Sequence, residues 1–177
     1  RGLFTGLIAQ WRGEWAQGDF PFYFVQLANF KADDPQGTTW AFLREAQMQT
    51  LAVPNTGMAV TIDIGDAGNL HPANKQEAGR RLALLALART YGEKNLIDSG
   101  PVFSSADFKT SAPAVRVQFK KSDVALENTN PTAPAAVLGV ELAGDDHVFH
   151  PVDASIEKCA QSVVVKAVAV PAAVAVR

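Results

Sequence analysis

Two short runs, Pro21 to Leu27 (PFYFVQL) and Met58 to Ile64 (MAVTIDI), constrain the fold of this 177-residue chain more than any other feature. Both are almost continuously apolar and lack the alternation of a strand with one wet face. Such runs belong to strands buried on both sides, as inside a parallel sheet covered by helices. The sequence around them supplies the helices. From Leu3 onward Phe4, Leu7, Ile8, Trp11 and Trp15 recur at helical spacing, until Gly18 and Asp19 break the pattern. A second helix is expected over about Thr38 to Leu51, capped by Thr38 or Thr39, with Trp40, Leu43 and Leu51 inward. A third is expected to open at Pro72, to bury Leu82, Leu85 and Ala86, and to close at Tyr91 and Gly92. Helix, strand, helix, strand, helix is the order of an α/β half-domain with a parallel sheet.

Composition changes after Gly100 and Pro101. The remainder is rich in Val, Ala, Ser and Thr, alternates at Val115, Val117 and Phe119 and again at Val163 and Val165, and lacks a convincing helix. A small antiparallel β-rich module packed on the α/β part is expected, dividing the chain into residues 1–100 and 101–177. Thr129 to Pro134 reads as a loop. The single cysteine, Cys159, has no partner for an internal disulfide and no neighbours that make a zinc motif, so it is expected to pack as a small apolar residue.

A hydrophobic fraction of 47% with 19% charged residues describes a folded globular chain rather than a disordered or fibrous one. The net charge of -2 arises from 16 basic and 18 acidic residues without a long run of either sign, which argues against nucleic acid as a partner. No apolar stretch approaches the ~18 to 20 residues of a membrane helix, so no membrane span is expected. The chain begins at Arg1 and enters a helical pattern at once, so a signal peptide or a preceding domain would lie outside it.

In open α/β sheets ligands bind beyond the carboxyl ends of the strands, which directs attention to the turn after Ile64. It reads Asp63-Ile64-Gly65-Asp66-Ala67-Gly68-Asn69-Leu70-His71-Pro72. A histidine with two carboxylates upstream in the same turn has the composition of a general base and its orienting acid. Taken alone, the same residues also describe a turn built by Asp66 and Asn69 with His71 exposed beside a helix.

The wider sequence resembles the sialate O-acetylesterases of the SGNH hydrolase superfamily. The resemblance rests on Trp11-Arg12 with Trp15, PFYFVQLANF (21–30), WAFLREAQ (40–47), PNTGMAVTIDIGD (54–66), HPANKQEAGRRLALLALARTYG (71–92) and SGP (99–101), with looser strand patterns beyond, including VFHPVDASI (148–156). It implies a flavodoxin-like α/β domain of which this chain holds the C-terminal half, followed by the β-rich module. It also implies hydrolysis of acetyl esters on sugars through a serine acyl-enzyme, with no cofactor and an acetylated sugar or glycan as substrate. By resemblance His71 is the base. The superfamily's usual acid position, three before histidine, is Gly68 here, so Asp66 is the first choice for the acid and Asp63 the second. Asn69 can offer a hydrogen bond but no charge.

The Gly-Gln-Ser-Asn-like motif that carries the family's nucleophile, and the later Gln-Gly-Glu-Ser-Asn-like block, do not occur in this chain. The resemblance therefore implies a serine upstream of Arg1 and an extracellular or periplasmic setting. The rival expectation is a non-catalytic glycan-binding or scaffold remnant of the same fold. Ser99, Ser104 and Ser105 follow the histidine instead of preceding it and are expected to be structural. Asp145, Asp146, His147 and His150 are expected to form a turn and a strand, not a metal site, because on a strand the two histidines would point to opposite faces. Arg44, Glu45 and Gln47 match a family motif without an evident role beyond pairing or packing.

Overall fold

The computed structural model describes residues 2–31, 38–109, 114–120, 126, 136–157 and 161–177. The chain divides into two compact units, Arg1–Gly100 and Pro101–Arg177. Cys159 and most of the Thr129 to Pro134 region's neighbourhood, that region included, lie outside the described residues.

In the first unit the order is α1 (Gly2–Trp15), β1 (Phe22–Val25), α2 (Thr38–Gln49) with a 3-10 turn at Thr50–Ala52, β2 (Thr56–Ala59), and α3 (Lys75–Leu85), which runs into a π turn at Ala86–Thr90. β1 and β2 pair in parallel, from Phe22 opposite Thr56 to Val25 opposite Ala59. All four β2 residues are buried, but only Met58 and Ala59 belong to the apolar run, whose Ile62 is exposed, and in β1 Phe24 alone is buried while Val25 is exposed. β2 starts at Thr56, before the run, and ends at Ala59, so Asp63 belongs to the following loop. Gly57 allows α3 to sit directly on the sheet: a Cβ there would fall 2.8 Å from the Tyr23 ring and 3.1 Å from Leu85, which is fully buried. α1 packs through Ile8, also fully buried, and through Phe4, whose ring meets Phe24 edge-on at 4.8 Å.

Three helix expectations are corrected. In α1 the tryptophans and Leu7 are exposed, and the buried partner of Ile8 is Arg12. Its guanidinium donates to Phe20 O at 2.7 Å and Pro54 O at 2.9 Å, tying together the chain segments that enter β1 and β2. A charged residue can be buried here because carbonyl oxygens satisfy it. In α2 Leu43 is exposed, as is Leu51 in the 3-10 turn that follows, while Trp40, Arg44 and Gln47 are partly buried. The amide of Gln47 explains the inversion: Oε1 accepts from Leu27 N at 3.0 Å and Nε2 donates to Val25 O at 3.5 Å, along the edge of β1 away from β2. Finally, Pro72 does not open α3. Asn74 does, its side chain accepting from Glu77 N at 3.1 Å in an N-cap.

The second unit contains β3 (Phe103–Asp107), β4 (Ala114–Phe119), β5 (Ala136–Val137), β6 (Glu141–Ala143), β7 (His150–Pro151), β8 (Ala154–Glu157), β9 (Ser162–Lys166) and β10 (Ala175–Val176). They form an antiparallel five-stranded sheet in the order β3-β4-β9-β8-β5 and a three-stranded sheet in the order β10-β6-β7. Val115, Val163 and Val165 from one sheet meet Leu142 from the other in the core, with Val117 and Phe119 packed against it, as their alternation demands. On the opposite face Arg116 pairs with Glu157 at 3.1 Å.

Candidate active site

Residues 60–74 connect β2 to α3, and the chain leaving β1 forms their bed. Parallel pairing outlasts the strands proper, since Gln26 N donates to Ala59 O at 2.9 Å and Thr61 Oγ1 donates to Gln26 O at 2.7 Å. Further out, Lys31 N donates to Ala67 O at 3.1 Å. Between these points Gly65 lies hard against Asn29, so that a Cβ would stand 1.8 Å from Asn29 Oδ1 and 2.4 Å from Asn29 O. Only glycine permits that approach.

The loop is also held from α3. Arg81 donates to Val60 O at 2.6 Å and forms a two-pronged ion pair with Asp63, Nη1 to Oδ1 at 2.6 Å and Nη2 to Oδ2 at 2.7 Å. Its Nε donates to Glu77 Oε1 at 2.9 Å, and Glu77 also accepts from Arg80 at 2.7 Å. Hydrogen bonding from Arg81 holds the Asp63 carboxyl below its ordinary range. Hydrogen bonds first from Arg80 and then from Arg81 lower Glu77 to about 2, while the bond to Asp63 raises Arg81 further still.

At the tip the loop is shaped by two successive side-chain turns. Asp66 Oδ1 accepts from Gly68 N at 2.8 Å, Asn69 N donates to Asp66 O at 3.2 Å, and Asn69 Oδ1 accepts from His71 N at 2.8 Å. Asp66, Asn69 and His71 thus share one compact turn beyond the carboxyl end of β2. Asp63 does not join them, being engaged by Arg81. His71 is exposed, and among the described residues its imidazole makes no hydrogen bond to either carboxylate. A solvent-accessible imidazole on a braced loop can accept and return a proton to a group docked there.

Sequence reasoning finds no role for Asn29 or Arg81, places Gly65 in the turn without its contact, and leaves Gln47 with no role beyond pairing or packing. The juxtaposition of Gly65 with Asn29 carries no local signal, and Arg81 looks like one more helical surface charge. Trp40 is a different case: it meets Phe30 edge-on at 6.1 Å, and its buried indole N–H has no partner among the described residues.

No protein-family model matches the chain. It is 38% identical to the sialate O-acetylesterase of Mus musculus over 117 residues and 34% identical to that of Homo sapiens over 116 residues, alignments covering 56% of this chain. A crystal structure of a carbohydrate acetylesterase from Xanthomonas citri superposes with a TM-score of 0.87 at 44% identity over 98% of this chain. The chain is thus similar to sialate O-acetylesterases and to a carbohydrate acetylesterase. It spans 22% of the length of the curated relatives it matches and 39% of the Xanthomonas chain.

The other positions singled out in the sequence have structural surroundings. Ser99 donates from Oγ to Gly100 O at 3.1 Å, and Ser104 and Ser105 lie within β3. His147 sits in a turn at φ 55°, not on a strand, with Asp146 Oδ1 accepting from Val148 N at 3.1 Å, and His150 begins β7. No group of three or more potential metal-ligating side chains occurs among the described residues. No helix among them is long and apolar enough to cross a membrane.

Proposed function

We propose that this chain contributes the histidine-bearing part of a carbohydrate O-acetylesterase. The observation that carries the reading is His71 itself, exposed beyond the carboxyl end of paired parallel strands, in a chain 44% identical over nearly its whole length to a carbohydrate acetylesterase. In the proposed reaction a serine hydroxyl, supplied by sequence preceding Arg1, attacks the acetyl carbonyl while His71 removes its proton. The tetrahedral intermediate collapses as His71 returns that proton to the leaving sugar hydroxyl. Water then attacks the acetyl-serine with His71 again as base, releasing acetate and the serine.

Asp66 is the first candidate to orient the imidazole. One of its oxygens is committed to Gly68 N, and the turn holds it near His71 in the chain. The flavodoxin-like SGNH architecture belongs to this proposal, as does O-acetylated sialic acid or another acetylated glycan as substrate. Such glycans lie outside cells, so an extracellular or periplasmic setting accompanies it.

The test is His71→Ala in the full-length protein, assayed by acetate release from a chromogenic acetyl ester. Loss by a factor of about a thousand or more is expected for removal of a triad base. A folded variant that retained more than about a tenth of wild-type turnover would contradict the assignment.

A further inference from the structure

We infer that Arg81, acting through Asp63, is a positioning residue for the His71 loop, and that Asp63 is not the acid partner of the histidine. The inference rests on the esterase reading above. Asp63 and His71 lie on one loop, and both oxygens of Asp63 are taken by the guanidinium fork of Arg81. An acid that orients a histidine must accept from its ring, whereas the side-chain partner of this one is Arg81. The same guanidinium donates to Val60 O, the first residue after β2, and to Glu77 in the first turn of α3. One side chain therefore pins the start of the loop, its first carboxylate and the helix that follows.

Geometry distinguishes this brace from an isolated ion pair. The Arg81 side chain is largely covered, 24% exposed, although that of Asp63 is 57% exposed, and the Arg81 donors reach three residues, Val60, Asp63 and Glu77. The fork also resists rotation, because two parallel bonds fix the carboxylate plane as well as its distance. Asp66, Asn69 and the Gly65 contact with Asn29 shape the far side of the loop, while Arg81 supplies the hydrogen bonds from α3 to its near side. Without Arg81 the loop would keep its tip but lose the anchor that sets where that tip stands. The chemical consequence is a histidine presented at the wrong place.

The experiment is a double-mutant cycle in the full-length protein: Asp63→Asn, Arg81→Met and the pair together, with Arg81→Lys as the conservative variant. kcat and KM for a chromogenic acetyl ester are measured beside thermal unfolding. Both single variants should lower kcat by up to about 10²-fold, the range of a displacement of about 1 Å, with little change in KM. The double variant should be no worse than either single, since each removes the same contact. Arg81→Lys, which keeps the charge but not the fork, should fall between wild type and Arg81→Met.

Loss of about 10⁴-fold in Asp63→Asn with Arg81→Met near wild type would make Asp63 the acid of the triad and overturn the inference. Wild-type kcat in both single variants, with only the unfolding temperature lowered, would make the pair purely structural and overturn it equally. His71→Ala run in parallel keeps the two readings distinguishable. Retained activity there removes the catalytic loop itself and the inference with it, whereas lost activity there beside unaltered brace variants refutes the brace alone.

Discussion

Gly65→Ala tests whether the loop is truly seated on the chain leaving β1. The added methyl would stand 1.8 Å from Asn29 Oδ1 and 2.4 Å from Asn29 O, against 3.4 Å for ordinary contact. Rotation of the Asn29 side chain can relieve the first clash. The second is with backbone, so the loop and the strand extension must part by about 1 Å, taking with them neighbours held by the Thr61 and Lys31 hydrogen bonds. Forced separation of that size costs about 1 to 3 kcal/mol in stability, and the upper end is expected because the obstacle is a main-chain carbonyl. Displacing the loop tip by about 1 Å should lower turnover by about 10²-fold. Denaturant unfolding and acetyl-ester kinetics on the full-length protein measure the two effects. Adding Asn29→Ala removes the side-chain clash but not the carbonyl one, so the double variant should stay impaired. Wild-type stability and turnover in Gly65→Ala would refute the seating.

Asp66→Asn should cost far more activity than Asp63→Asn in paired kinetics, and the reverse order would exchange their roles. Arg12→Met should destabilise the protein by on the order of 3 kcal/mol in denaturant titrations, because Phe20 O and Pro54 O lose a charged donor; a change below about 1 kcal/mol would show that water replaces it. Acidification should weaken the α3 network: with Glu77 lowered from 4.5 to about 2, its contribution is present above the unfolded value and is lost as pH falls from about 4.5 towards 2. Thermal unfolding followed through that interval should show a shallower decline in Glu77→Gln than in wild type, and parallel curves would refute the role of this carboxylate.

The parallel pair and the succession of helices around it were legible from the apolar runs, although the second run is strand only at Met58 and Ala59, and both Ile62 and Val25 are exposed. So was the alternation that builds the second unit's core. Orientation within helices was less legible. Arg12 and Gln47 turn inward because main-chain oxygens and amides await them, and a pattern of apolar spacing counts such residues as outward. Pro72 carries a helix-opening signal, but the Asn74 cap three residues before Glu77 wins, since its side chain bonds directly to the first turn. At the candidate site, the sequence brings His71 and Asp66 into one turn by proximity alone. What it could not display is that Asp63 is claimed from α3, a contact across 18 positions whose two ends both look like ordinary surface charges.

The Gln47 amide has a meaning for how the sheet can grow. By accepting from Leu27 N and donating to Val25 O it behaves as a one-residue imitation of a neighbouring strand. A segment arriving at that edge, from this protein or a stranger, could zip along β1 only until it met the amide, and would there find both main-chain groups already spoken for. The side chain is thus a terminator for strand addition: it fixes how much of the edge is open to pairing and keeps the end nearest the His71 loop from serving as a template for aggregation.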